Sequence, residues 1–169
     1  MRNQEDAPAK EGSFSSKNRS SCRTPMQWDA SANAGFSTAP ADRLYLPVDP
    51  VADRPNVEQQ QADPNSILNY VKGLIDLRQA VPALGTAGDW QYVSQVDKPY
   101  PMVYMRELDG ERYIVAINPS AKKVATEVDM TARNASMVYG TTHQAQCRFS
   151  GDKARITMPP VSAAIFRIF

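Results

Sequence analysis

The pattern of apolar positions changes character twice along this chain, dividing it into an arm, a helix and a run of strands. Residues 1–62 show no period. Ser13-Phe14-Ser15-Ser16, Asn33-Ala34-Gly35 and repeated prolines interrupt every apolar run. A structureless stretch of that length is uncommon inside a compact domain. Yet Trp28, Phe36, Leu44, Tyr45 and Leu46 fall within it, and disordered segments are poor in such residues. The arm is therefore expected to lie against something else.

The period becomes helical over residues 63–80. Leu68, Val71, Leu74, Ile75 and Arg78 fall on one stripe, which Ile67, Tyr70 and Leu77 widen. Asp63 suits the N-cap, Pro64 the first helical position, and Pro82 ends the helix. Gly73 at mid-helix costs about 1 kcal/mol relative to alanine. Close packing against a neighbouring strand would offset that cost.

From Trp90 onward the pattern is that of short strands separated by turns: 89–96, 101–108, 112–118, 123–129, 135–139, 145–149, 153–158 and 161–168. Asp109-Gly110 between apolar runs is a two-residue hairpin signal, and Gly151-Asp152 marks a second. Tyr113-Ile114-Val115-Ala116-Ile117 is apolar without alternation, which predicts a strand buried on both faces. The fold expected is mainly β: an antiparallel two-sheet β-sandwich over 85–169, preceded by a helical segment, 63–84, and the irregular arm, 1–62.

Composition narrows the functional classes. With 169 residues the chain holds one modest domain and an arm, but not a (β/α)8 barrel, which takes about 250 residues. A net charge of +1 supplies no electrostatic reason to bind nucleic acid or an anionic membrane. No apolar run is long enough to span a bilayer, and the polar start, Arg2 to Ser21, lacks the apolar stretch of a signal peptide. Cys22 and Cys147 form neither a disulfide framework nor a metal-ligand pattern. A reduced, cytoplasmic setting is expected, with a periplasmic one left open. Nothing calls for a cofactor or a metal: Glu5-Asp6, Asp49 and Asp53 match no calcium loop.

The chemistry is concentrated in Arg23-Thr24-Pro25-Met26-Gln27-Trp28-Asp29. This heptapeptide resembles a signature of the α-amylase superfamily of retaining glycosidases, glycoside hydrolase family 13, in its α-glucosidase and trehalose-synthase-like branch. Asn33-Ala34-Gly35-Phe36-Ser37, Leu44-Tyr45-Leu46-Pro47 and Asn56-Val57-Glu58 are similar to the landmarks that follow it. Asp63 to Tyr70, with Leu77-Arg78 and Pro82-Ala83-Leu84, resembles the last barrel helix, and Pro160 to Phe169 the last strand of the sandwich called domain C. The resemblance implies that Met1 is an internal residue of a longer parent. The chain would then carry the last β→α loop, the last barrel helix and domain C.

A retaining glycosidase needs two carboxyl groups about 5–5.5 Å apart across the scissile bond. In the family they stand at the ends of earlier barrel strands, so no Asp or Glu here inherits a catalytic role by motif. Arg23 is the one substrate-binding candidate. The resemblance places it at the floor of the pocket around the non-reducing glucose, paired with a barrel carboxylate. A guanidinium suits this because its planar fork binds a carboxylate and sugar hydroxyls together. The plainer alternative is a loop-to-barrel salt bridge.

Gln27 and Trp28 offer a sugar-stacking platform or, more simply, a wedge that seats the loop on the barrel. His143, the single histidine, has no nucleophile to serve and is expected in a surface loop. Trp90, Tyr92 and Tyr104 suit a starch-binding patch, though core or interface packing is the plainer expectation. The function expected is therefore that of the C-terminal part of a retaining α-glucosidase-type enzyme acting on α-linked glucosides, inactive alone. Its partners would be the missing (β/α)8 catalytic domain and an α-glucoside or oligosaccharide, with neither nucleic acid nor membrane. The alternative is a free-standing, non-catalytic sandwich that binds carbohydrate or a protein. The arm favours the first, because a self-contained module has no use for an active-site loop.

Overall fold

The computed structural model describes residues 23–94, 97 and 100–169. The chain divides into two compact units, Met1–Lys72 and Gly73–Phe169. In the first unit, 3-10 turns at Ala32–Gly35 and Ala41–Arg43 precede a short helix, α1, Val57–Ala62. The second helix, α2, spans Ile67–Ala80 and runs across the division. A 3-10 turn at Pro82–Leu84 then leads into the strands.

Eight strands follow: β1 (Asp89–Tyr92), β2 (Met102–Leu108), β3 (Glu111–Asn118), β4 (Val124–Asp129), β5 (Ala135–Gly140), β6 (Gln146–Ser150), β7 (Lys153–Met158) and β8 (Ser162–Ile168). They form two antiparallel sheets, one in the order β1-β2-β3-β8-β5 and the other β4-β7-β6. The fold is the expected mainly β, two-sheet sandwich. Its core forms where the two inner faces meet. Val103, Ile114, Ala116 and Phe166 come from the larger sheet, and Val128, Ile156 and Met158 from the smaller. Strand β7 shows the cause directly: Ala154, Ile156 and Met158 are buried, while Lys153 and Arg155 face water and pair with Asp129 and Glu127.

The Asp109-Gly110 turn joins β2 to β3 with φ of 50° and 81°, the paired left-handed values that a type I′ hairpin requires. At the second hairpin Gly151 alone takes positive φ. Strand β3 is buried at Tyr113, Ile114, Val115 and Ala116, as its unbroken apolar run predicted. Its inner side enters the sandwich core. Its outer side meets Leu77 and Leu84, which line one recess with Val115 and Ile165. Arg106 of β2 fastens this cover: Nε donates to Ala83 O at 3.1 Å, and Nη2 donates to Gly88 O at 2.9 Å and also to Gly85 O.

The structure corrects three local expectations. The helix expected over 63–80 begins at Ile67, because Ser66 rather than Asp63 caps it. Ser66 Oγ accepts from Asn69 N at 3.2 Å, while Asp63 closes α1 and holds a turn by accepting from Asn65 N at 2.8 Å. The arm, read as wholly irregular, contains α1. The strand expected over 89–96 ends at Tyr92, because Val93 N and Ser94 N both donate to Val103 O, at 3.0 and 3.2 Å, which breaks the ladder.

The remaining strands match their expected positions to within a residue or two. No residue of α2 is buried, so Ile67, Val71, Leu74 and Ile75 of the predicted stripe are exposed. Among the described residues no helix is long and apolar enough to cross a membrane.

Candidate functional site

Arg23 to Trp28 has no regular secondary structure and is pinned from both sides by backbone bonds. On one side, Gln27 O accepts from Val57 N at 3.0 Å and Trp28 O accepts from Glu58 N at 2.9 Å. These donors are first-turn N–H groups of α1, which have no partner within their own helix. Asn56 caps the same turn, its side chain accepting from Gln59 N at 2.9 Å. On the other side, Trp28 N and Asp29 N both donate to Ala34 O, at 2.8 and 3.4 Å.

That second anchor depends on an unusual bend. Asn33, Ala34 and Gly35 have φ of 53°, 56° and 68°. Asparagine tolerates the left-handed region better than most residues, and here Nδ2 of Asn33 clamps the bend by donating to Ser37 O at 2.9 Å and Ala39 O at 2.7 Å. A Cβ on Gly35 would stand 2.5 Å from the Asp29 carboxylate, which would have to move, and the φ of 68° strains any other side chain there. Asp29 accepts from the backbone N of Ser31 at 2.8 Å and from its hydroxyl. The hydroxyl bond first, and the backbone bond second, hold its pKa below the usual carboxylate value.

The loop so held leaves Arg23, Thr24, Met26 and Trp28 exposed, with Pro25 and Gln27 half-buried between them. Arg23 is exposed and borders a recess of about 280 Å³ whose wall includes Pro25, Met26, Phe36, Leu44 and Tyr45. Among the described residues no carboxylate pairs with Arg23. Trp28 is 49% exposed, whereas Oε1 of Gln27 is buried without a hydrogen-bond partner among the described residues. An apolar wall with one guanidinium at its rim can bind a ligand carrying both an apolar face and a polar edge. It cannot by itself do acid–base chemistry.

The other candidates lie apart. His143 is exposed in the turn between β5 and β6. Asp49 accepts from Val51 N at 2.9 Å, and Asp53 is exposed in the next turn. Glu5, Asp6 and Cys22 lie outside the described residues. Cys147 is a free thiol, and burial pushes its pKa up to about 11. Of the two plainer expectations for Trp90 and Tyr92, core or interface packing, the structure excludes the core: β1 is an edge strand, and they are 58% and 41% exposed. Asn56 went unrecognised as a cap, although Asn56 followed by Gln59 has the spacing of a capping box.

Comparison with known proteins agrees with this geometry. The family described as "Alpha amylase, catalytic domain" matches residues 1–87. An oligo-1,6-glucosidase of Parageobacillus thermoglucosidasius is 41% identical over 106 residues, which is 63% of this chain and 18% of that protein. A trehalose synthase of Thermus thermophilus is 29% identical over 156 residues, 89% of this chain and 16% of its own length. Among solved structures, the trehalulose synthase MutB of Pseudomonas mesoacidophila MX-45 superposes with a TM-score of 0.71 at 27% identity, covering 89% of this chain and 26% of that one. The chain thus spans a fifth or less of the length of these curated relatives. It belongs to the α-amylase family of glycoside hydrolases, family 13, in the α-glucosidase and trehalose-synthase-like branch.

Proposed function

We propose that this chain is the C-terminal part of a retaining α-glucosidase-type glycoside hydrolase acting on α-linked glucosides. In this reading, residues up to about the Pro82–Leu84 turn complete the barrel and the strands form domain C. The two catalytic carboxyl groups come from a part of the parent that this sequence does not include, and the chain is inactive alone. The observation that carries the reading is the match of a catalytic-domain family to residues 1–87, while the relatives extend over five times the aligned length. Two features of the loop support it. Gln27 Oε1 is buried with no donor among the described residues, and the side chains of Met26 and Trp28 stand exposed beside it. Both suit a surface whose counterpart lies elsewhere in the parent.

Arg23 is the residue we assign to the sugar. It stands at the rim of the apolar recess with its guanidinium unpaired among the described residues. It would bind hydroxyls of the terminal glucose while pairing with a barrel carboxylate. The Cys147 thiol suits a reducing, cytoplasmic location.

The test begins with the DNA upstream of the Met1 codon. An in-frame continuation encoding barrel strands with two carboxylates supports the reading, and an untranslated region there overturns it. The protein encoded by the continuous frame, and the 169-residue chain, are then assayed on a chromogenic α-glucoside. Activity is expected only in the first. Turnover by the shorter chain that co-purifies with it and disappears on Arg23→Ala would overturn the reading.

A further inference from the structure

Oε1 of Gln27 and Nε of Arg54, both in the first unit, are buried without a hydrogen-bond partner among the described residues. They belong to one piece of the structure. Arg54 N and Nη1 both donate to Val51 O, at 3.4 and 3.1 Å, which closes the turn before α1. Directly after that turn, Val57 N donates to Gln27 O at 3.0 Å. The turn that carries Arg54 therefore leads into the backbone bond that anchors the Arg23 loop.

A buried N–H of a charged group is costly when it has no acceptor, more so than a neutral donor. The neighbouring carboxylates do not relieve it. Asp49 accepts from Val51 N at 2.9 Å, and Asp53, adjacent in the chain, forms no ion pair with Arg54.

We infer that Arg54 is a positioning residue: the Nε–Nη2 edge of its guanidinium holds a carboxylate from the part of the parent that this sequence does not include, and so sets the place of Arg23. The inference rests on the reading of the chain as the C-terminal part of a longer α-glucosidase. The geometry selects the partner group. Nη1 is engaged by Val51 O, so the remaining edge is the Nε–Nη2 side, whose parallel N–H bonds match the two oxygens of a carboxylate. A carbonyl or hydroxyl would take one bond and leave the charge unmatched. Gln27 Oε1 calls for the opposite partner, so the same missing surface has to offer a donor beside Gln27 and a carboxylate beside Arg54. Arg54 touches no sugar here. It acts through the start of α1 and Gln27 on the loop that ends in Arg23.

Two variants separate the parts of the guanidinium. Arg54→Lys keeps the charge and a terminal donor but puts a methylene where Nε stood. Arg54→Gln puts an amide N–H at that place and removes the charge. Each is made in the 169-residue chain and in the protein encoded by the continuous frame. In the shorter chain Arg54→Lys should leave the urea midpoint unchanged or raise it, because a donor without an acceptor is removed. In the longer protein it should lower the thermal midpoint by several degrees and kcat/KM on a chromogenic α-glucoside about tenfold. Arg54→Gln should lose less than Arg54→Lys there, yet fall short of the unsubstituted protein. Added to Arg23→Ala, Arg54→Lys should lower kcat/KM little further, because both act on one contact. A role confined to stability would not produce that non-additivity.

Equal losses in the two proteins would show that Arg54 serves only the Val51 turn, and no loss in either that Nε needs no acceptor. Both results overturn the inference. Full recovery by Arg54→Gln overturns the carboxylate, and losses that add to those of Arg23→Ala overturn the positioning role. The glycosidase reading is decided beforehand, by the upstream frame and by activity of the unsubstituted longer protein. If it fails the inference fails with it; if it stands, these variants alone decide.

Discussion

The carbonyl of Trp28 accepts the backbone N–H of Glu58 at 2.9 Å, so the family heptapeptide is held by the first turn of a helix twenty-nine residues further on. Gln27 does the same for Val57. The landmark Asn56-Val57-Glu58 therefore acts on the landmark Arg23–Asp29. One supplies a capped helix start, and the other uses its free donors. Asn56→Ala removes the cap and should cost about 1 kcal/mol of local stability. Amide exchange at Val57 and Glu58 should quicken about fivefold or more, while exchange in β3 and β8 stays unchanged. Equal acceleration in both regions would show that Asn56 supports the whole fold instead.

Asn118 plays a comparable part in the sandwich. Its fully buried amide donates to Lys122 O at 2.8 Å and Pro159 O at 2.6 Å, and its Oδ1 accepts from Ser120 N at 3.1 Å. It thus ties the β3–β4 turn to the β7–β8 turn. Asn118→Ala leaves carbonyls without donors and should destabilise the chain by about 2–4 kcal/mol. Urea unfolding read at the sandwich would measure it. A loss under 1 kcal/mol would mean that water replaces the amide at little cost.

Gly73 lies against a strand of the larger sheet, as expected, but the packing leaves room for a methyl. A Cβ at this position would meet the Tyr139 ring at 3.5 Å, an ordinary contact. Gly73→Ala should therefore recover most of the helix-propensity penalty, raising stability by up to about 1 kcal/mol. A fall in the thermal midpoint would show that Tyr139 cannot accommodate the methyl.

Burial holds the Cys147 thiol near a pKa of about 11, against an ordinary 9.0. Below the unfolded value both states keep the proton, and the linked stability is fully present. Between roughly 9 and 11 the unfolded chain loses its proton first, so stability falls as pH rises. The folded thiol should accordingly alkylate about 100-fold more slowly than the unfolded one at pH 8. This is measurable by timed iodoacetamide labelling in a Cys22→Ser background. Equal rates in urea and in buffer would refute the burial argument.

On the proposed reading of the chain as part of a longer α-glucosidase, Arg23→Ala in that longer protein should lower kcat/KM on small α-glucosides on the order of 10–100-fold while leaving folding intact. Removing one partner of a buried pair costs about 3–5 kcal/mol, of which part is felt in the transition state. Unchanged kinetics in a folded variant would reduce Arg23 to a scaffold role.

Much of this fold was legible in the sequence because it depends on local periods. The alternation in β7 and β8, the Asp-Gly turn and the unbroken apolar run of β3 each report a burial pattern that any antiparallel sandwich imposes. The heptapeptide identified the family for a similar reason: its residues stand close together in the chain. What sequence could not decide was which of several suitable groups would be used. Asp63 and Ser66 are both good caps, and only the turn between the helices assigned the second to α2. Trp90 has the composition of a core residue, and its exposure follows from β1 lying at the sheet edge. The anchoring of Gln27 and Trp28 was hidden because it runs through backbone carbonyls, which every residue carries. Side-chain period is written in the chain. The choice among equivalent donors, and the position of a strand within its sheet, arise only when distant segments meet.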